Sequence, residues 1–97
     1  MAGKGRKVMA KIIKVDGTTT NLDNNPTLME AHRLVGGWIK GNQCWITEDN
    51  QQVRYFVVMN EKGKAKGFPK NKVVSKMVGF ATYGDIILME GNFEGEE

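Results

Sequence analysis

The stretch Pro26-Thr27-Leu28-Met29-Glu30-Ala31-His32-Arg33-Leu34-Val35-Gly36-Gly37-Trp38 carries the only clearly marked beginning and end in the chain. Thr27 followed three residues on by Glu30 makes a capping box, in which each side chain satisfies a backbone N–H that the first helical turn leaves unpaired. Leu28, Ala31, His32 and Val35 then recur at three- and four-residue spacing and form one apolar stripe. Gly36-Gly37 follows with a residue able to take the left-handed conformation that closes a helix. The spacing predicts one main helix over 27–35. Segments of β character flank it, and each can lend a face to the stripe. The expected fold class is therefore α+β: a small, mostly antiparallel sheet of four or five strands packed on one main helix, with a second short helix as a candidate over 72–78.

Ninety-seven residues with 40% hydrophobic content suit one domain with a single core. Residues 1–6 hold Gly and Lys with too little apolar surface to offset the entropy of ordering them, and are expected to form a disordered basic arm. Residues 7–90 form the expected α+β domain, and 91–97 an acidic flexible tail. One cysteine, Cys44, excludes an intrachain disulfide framework and fits a reducing, cytoplasmic setting. No apolar run approaches the length of a membrane span, and the charged start lacks a following hydrophobic signal region. The expectation is neither a secreted precursor nor a membrane protein. A net charge of +3 permits a polyanionic partner without requiring one.

From Lys7 the alternation around Val8, Ala10 and Ile12 reads as a strand ending at the turn Asp16-Gly17. The polar run Thr18 to Asn25 reads as a loop, because its short side chains compete with a backbone ladder. Trp38 to Thr47 reads as a strand with Gly41 as a candidate bulge, and Glu48 to Gln52 as a polar loop. Val53 to Met59 is the strongest strand and, being almost wholly apolar, a central one. Asn60-Glu61-Lys62-Gly63 reads as a tight turn in which Gly63 suits a positive φ, with Lys64 to Phe68 returning as a short hairpin partner. Val73, Val74, Met77 and Val78 lie at helical spacing up to Gly79, and Ile86 to Met89 forms the last strand.

The inventory for catalysis is thin. His32 is the only histidine and falls on the buried side of the helix stripe, where a satisfied imidazole at the core edge is the plainer reading than a general base. One Cys and one His do not make a zinc site, so no metal and no cofactor is expected, and no catalytic residue is assigned. Glu48-Asp49 and Asp85 fall where solvation and turn geometry explain them. The chain is read as non-enzymatic. Its best candidate site is the lysine-rich segment. If 64–68 is a strand, Lys62, Lys64 and Lys66 share one face, with Lys70 and Lys72 following in an exposed loop and Phe68 as a stacking surface. These six form the candidate anion-binding set, although an edge strand also carries lysines merely to stay soluble.

Three stretches carry a resemblance: Leu28 to Ile39, with its Val-Gly-Gly-aromatic-Ile junction; Asn60 to Asn71, with Asn-Glu-x-Gly and Gly-x-Pro-x-Asn; and Val78 to Leu88, with Val-Gly and Gly-Asp leading a strand. In these the chain resembles a small domain of unknown function found in phages, large DNA viruses and some bacteria, over roughly residues 8 to 90. The resemblance implies a compact α+β domain and a viral accessory role in the host cytoplasm, and it carries over no catalytic residue. Two functions are expected from residues and resemblance together. The first is a binding protein that engages a host protein through an apolar patch or an exposed strand edge. The alternative is a binder of phosphate-bearing ligands, nucleic acid or a nucleotide defence signal, through the lysine-rich hairpin face.

Overall fold

Strands β1 (Ala10–Ile13), β2 (Thr19–Leu22), β3 (Ile39–Glu48), β4 (Gln51–Asn60) and β5 (Ile86–Met89) and helices α1 (Leu28–Val35) and α2 (Lys72–Val78) make up a computed structural model that describes residues 10–94. The basic arm at 1–6, the start of the first strand at 7–9 and the tail end at 95–97 lie outside the described residues. The five strands form one sheet in the order β2-β1-β5-β4-β3, and every pairing is antiparallel. This is an α+β fold with two helices.

β5 sits at the centre because Ile86, Ile87, Leu88 and Met89 present no polar side chain to either face, and all four are fully buried. Strand periodicity sends their side chains alternately to two cores. Ile86 and Leu88 join Ile13, Ile46, Tyr55, Val57, Met59 and Val74 of α2 in one cluster. Ile87 and Met89 join Ala10, Ile12, Val58 and, from α1, Ala31 and Val35 in the other.

Helix α1 begins with the capping box. Glu30 N–H donates to Thr27 Oγ1 at 3.1 Å, and Thr27 N–H donates to Glu30 Oε1 at 2.9 Å. It closes on Gly36, whose φ of 83° is left-handed. The buried stripe is narrower than its spacing suggests. Ala31 and Val35, one turn apart, are buried, but Leu28 at the first helical position is 43% exposed.

Several local expectations are corrected. Thr18 to Asn25 is not all loop: residues 19–22 pair with β1 as an edge strand. The turn that returns them is held by Thr18 N–H on Asp16 Oδ1 at 2.8 Å and by Lys14 N–H on the Thr18 carbonyl at 2.9 Å. Threonines suit such a half-solvated edge. β3 has no bulge at Gly41, for its ten pairs with β4 run in unbroken register from Ile39–Asn60 to Glu48–Gln51. Gly41 serves a close approach instead. The ring of Phe56, on the neighbouring strand, lies where a side chain at 41 would stand, with a Cβ there only 2.4 Å from Phe56 Cε1. Phe56 is in turn held edge-on by Phe93 at 5.4 Å between centroids. Gly41→Ala is therefore expected to cost about 1–3 kcal/mol through overpacking, read as a shift of the urea midpoint without a change in slope.

The expected hairpin partner at 64–68 does not form. Glu61 to Gly67 is a series of turns, and the isolated antiparallel bridge that follows, between Lys70 and Tyr83, lies outside the five strands. The left-handed residue is Gly67, at φ 81°, rather than Gly63. Gly63 is required for space, because a Cβ there would meet the Tyr83 carbonyl oxygen at 3.1 Å. The second helix does form over 72–78, capped by Asn71 and closed on Gly79.

Three buried asparagines brace the corners. Asn71, fully buried, donates both Nδ2 protons, to the Ile13 carbonyl at 2.9 Å and the Gly84 carbonyl at 3.0 Å, while its Oδ1 accepts from Val74 N–H at 3.0 Å. Asn60 donates to the Val35 carbonyl at the end of α1 and accepts from Lys62 N–H. Asn25 donates to the carbonyls of Glu90 and Asn92, tying the entry to α1 onto the exit from β5.

Candidate functional site

The lysine segment is divided by the fold. Without a strand at 64–68, Lys62, Lys64 and Lys66 do not alternate along one face. Lys64 Nζ lies 6.0 Å from the centre of the Tyr83 ring, and Lys66 Nζ 6.0 Å from that of Phe68. Lys70 and Lys72 lie on the other side of the Pro69 corner. With Lys76, Ser75, Gly79, Phe80 and Ala81 they line a shallow depression of about 430 Å³ around α2. The structure thus groups Lys70 and Lys72 with Lys76 and Phe80, and Lys66 with Phe68.

Phe68 is a packing residue in this arrangement. Its half-buried ring rests among three glycines: a Cβ at Gly84 would lie 2.7 Å from its Cδ2, one at Gly63 3.4 Å from the same atom, and one at Gly36 3.9 Å from Cζ. The ring wedges the end of α1 against the loop that enters β5. That leaves it poorly placed to stack on a base, which needs an open face.

A polar cluster that the sequence reading did not assemble sits on the α2 side of the sheet. Lys11 Nζ lies 3.0 Å from Glu48 Oε2, and Tyr55 Oη donates to Glu48 Oε1 at 2.8 Å. The same ammonium stands 5.6 Å from the centre of the Tyr55 ring. Residues 11, 48 and 55 come from three strands, so nothing in linear spacing relates them. Burial, helped by the Glu48 carboxylate that its proton bridges and by the charge of Glu90, pushes the Tyr55 hydroxyl well above the ordinary tyrosine range. The phenol is thus a proton donor held in place and a poor nucleophile. A folded pKa above the unfolded value means that this contribution to stability is complete below about pH 10 and is lost as pH rises through the folded value. Alkaline titration at 295 nm is expected to show a late ionisation that Tyr55→Phe removes. A Tyr55→Phe titration superimposable on that of the parent would refute the assignment.

His32 is half-buried and meets Trp38 edge-on, with ring centroids 5.0 Å apart. Cys44 is partly buried against the α2-side core, and burial raises its thiol pKa. Among the described residues no group of three or more His, Cys, Asp or Glu side chains is arranged to hold a metal ion, and no helix is long and apolar enough to cross a membrane.

The largest departure from an ordinary surface is the pair of tryptophans. Trp38 is 72% exposed and Trp45 61% exposed. Register places Trp45 directly opposite Arg54 and on the α1 side of the sheet, with Gln43 opposite Phe56 one step along. Leu28 and Met29 of α1 are exposed as well. Bulk alone marks the two tryptophans in the sequence; their exposure belongs to the fold. No family model matches the chain, and comparison with curated proteins and with solved structures likewise returned no match.

Proposed function

We propose that the chain is a non-catalytic binding protein that engages a protein partner through the tryptophan-bearing surface of β3, in keeping with the viral accessory role that the resemblance implies. One observation carries this reading: Trp45 stands 61% exposed on a rigid, ten-residue strand, beside Arg54. Tryptophan and arginine are among the side chains that most often anchor protein interfaces: the indole buries a large area at low cost in lost rotamer freedom, and both keep a polar handle. A strand paired along its whole length in a hairpin holds such an anchor better than a loop does. The test is capture of host proteins by the tagged chain, with and without nuclease and at low and high salt. A partner retained through nuclease and high salt, and lost with Trp45→Ala but kept with Lys70→Glu/Lys72→Glu, supports the reading. Retention that ignores Trp45→Ala counts against it.

The second reading, a binder of phosphate-bearing ligands, draws support from Lys70, Lys72 and Lys76 around the depression beside Phe80. It predicts the opposite pattern: retained material that is nuclease-sensitive or lost with salt, weakened by Lys70→Glu/Lys72→Glu and indifferent to Trp45→Ala.

A further inference from the structure

We infer that two copies of this chain pair edge to edge through β3, antiparallel about a twofold axis at Cys44, to make one continuous ten-stranded sheet. The inference goes beyond the proposed partner surface and rests on a different set of observations.

β3 is an edge strand, and no strand among the described residues pairs with its outer side. The phase of its hydrogen bonding follows from the β3–β4 turn. Asp49 and Asn50, at φ 49° and 62°, form a two-residue turn with both residues left-handed, and such a turn makes Glu48 and Gln51 a hydrogen-bonded pair. Lys40, Asn42, Cys44, Ile46 and Glu48 therefore direct their backbone groups inward to β4. The bond from Glu61 N–H to the Trp38 carbonyl, 2.8 Å long, continues the same phase beyond the strand. The backbone groups of Ile39, Gly41, Gln43, Trp45 and Thr47 consequently point to the open edge.

Proteins blunt such edges with a bulge, a proline or an inward charge. β3 has an unbroken register, no proline, and one lysine, Lys40, near its start. A symmetric antiparallel pair must oppose outward-pointing residues to one another, so the twofold can fall at Gln43, Cys44 or Trp45 near the strand centre. Centred on Cys44, Lys40 of each copy stands opposite Glu48 of the other, twice over. Centred on Gln43 it faces Ile46, and centred on Trp45 it faces Asn50, so the charges choose the Cys44 register. Glu48 keeps 30% of its side chain exposed while its carboxylate takes Lys11 and Tyr55 from the inner side, so Lys40 of the second copy meets that network from the open side. In this register each Trp45 faces Gln43 of the second copy, and both tryptophans lie on one side of the joined sheet, so the dimer presents the proposed partner surface twice.

The Cys44 pair would be a non-hydrogen-bonded one, with Cα atoms about 4.5 Å apart, within the range a disulfide spans. The full chain is expected to run as a dimer by light scattering, and mild oxidation with copper phenanthroline should link it through Cys44 but leave Cys44→Ser unlinked. Gln43→Pro removes an outward N–H and no β4 ladder bond, so it should give a folded monomer. Lys40→Glu alone and Glu48→Lys alone should each weaken dimerisation by about tenfold or more, and mixing the two should restore a heterodimer, since the charges are then complementary at both ends. A parent chain that is monomeric at its highest soluble concentration overturns the inference, even if it accepts a foreign strand at this edge. A dimer that persists in Lys40→Glu and resists Cys44 linkage overturns it equally.

Discussion

Asn71→Ala is expected to lower the stability of the fold by about 3–5 kcal/mol, the largest effect of any single polar substitution among the described residues. The side chain uses all three of its strong hydrogen-bonding positions, on Ile13 at the end of β1, on Gly84 before β5 and on Val74 at the start of α2. Its backbone N–H also donates to the Thr82 carbonyl at 2.8 Å. Truncation strands two buried carbonyls and one helical N–H where water has no access, since Asn71 is fully buried. Each such group costs more to leave unpaired than a hydrogen bond contributes net, which is why one residue carries so much. Asn71→Asp separates the roles. It keeps an acceptor for the helix cap but turns both carbonyl-facing donors into a carboxylate, so it should be at least as destabilising as alanine. Urea unfolding checks both variants, and each kcal/mol corresponds to about 4–8 °C of midpoint in a domain of this size. A loss below about 1 kcal/mol for Asn71→Ala would mean that the corner is held by packing alone.

Gly84→Ala should cost about 3 kcal/mol from two additive sources. The backbone at 84 has φ 84°, a conformation in which an added Cβ meets its own chain at about 1–2 kcal/mol. The same Cβ would lie 2.7 Å from Phe68 Cδ2, and that ring has little room to yield, because it also rests against Gly36 and Gly63. Gly67→Ala supplies the control: φ there is 81°, yet nothing lies within 4 Å of the new Cβ, so only the backbone contribution remains. Shortening the wedge in Gly84→Ala/Phe68→Leu should recover part of the loss, giving a coupling between positions 68 and 84 in a double-mutant cycle. Equal costs at 84 and 67 would show that Phe68 does not fill this cradle. The experiment also bears on the site, since a Phe68 committed to the cradle is not a free stacking surface for a base.

Local codes were legible wherever neighbours in sequence are also neighbours in space. The Thr27–Glu30 capping box, the left-handed closure at Gly36, the short helix at 72–78 and the apolar runs of β4 and β5 all depend on interactions within a few residues, and each appears in the structure. The misread segments are those in which distant residues choose between local options. Thr19–Leu22 has no strong strand signal of its own, and becomes a strand because β1 offers it an edge. Lys64 to Phe68 had the turn and the alternation of a hairpin, but Phe68 is drawn into the glycine cradle and takes the segment off the sheet. The candidate site followed the same rule. A lysine count along the chain could not show that Lys64 and Lys66 turn to aromatic rings while Lys70 and Lys72 line the depression around α2. Nor could it join Lys11, Glu48 and Tyr55, which lie on three strands.

Sequence alone therefore determined the fold class and the main helix with both its ends, because these rest on residue type and short spacing. Tertiary structure alone decided the strand order, the outward stance of Trp45, the role of Phe68 as a wedge and the open edge of β3. Those depend on register, and a register is chosen by burying the best set of apolar faces across the whole sheet at once, a sum that no single stretch of residues contains.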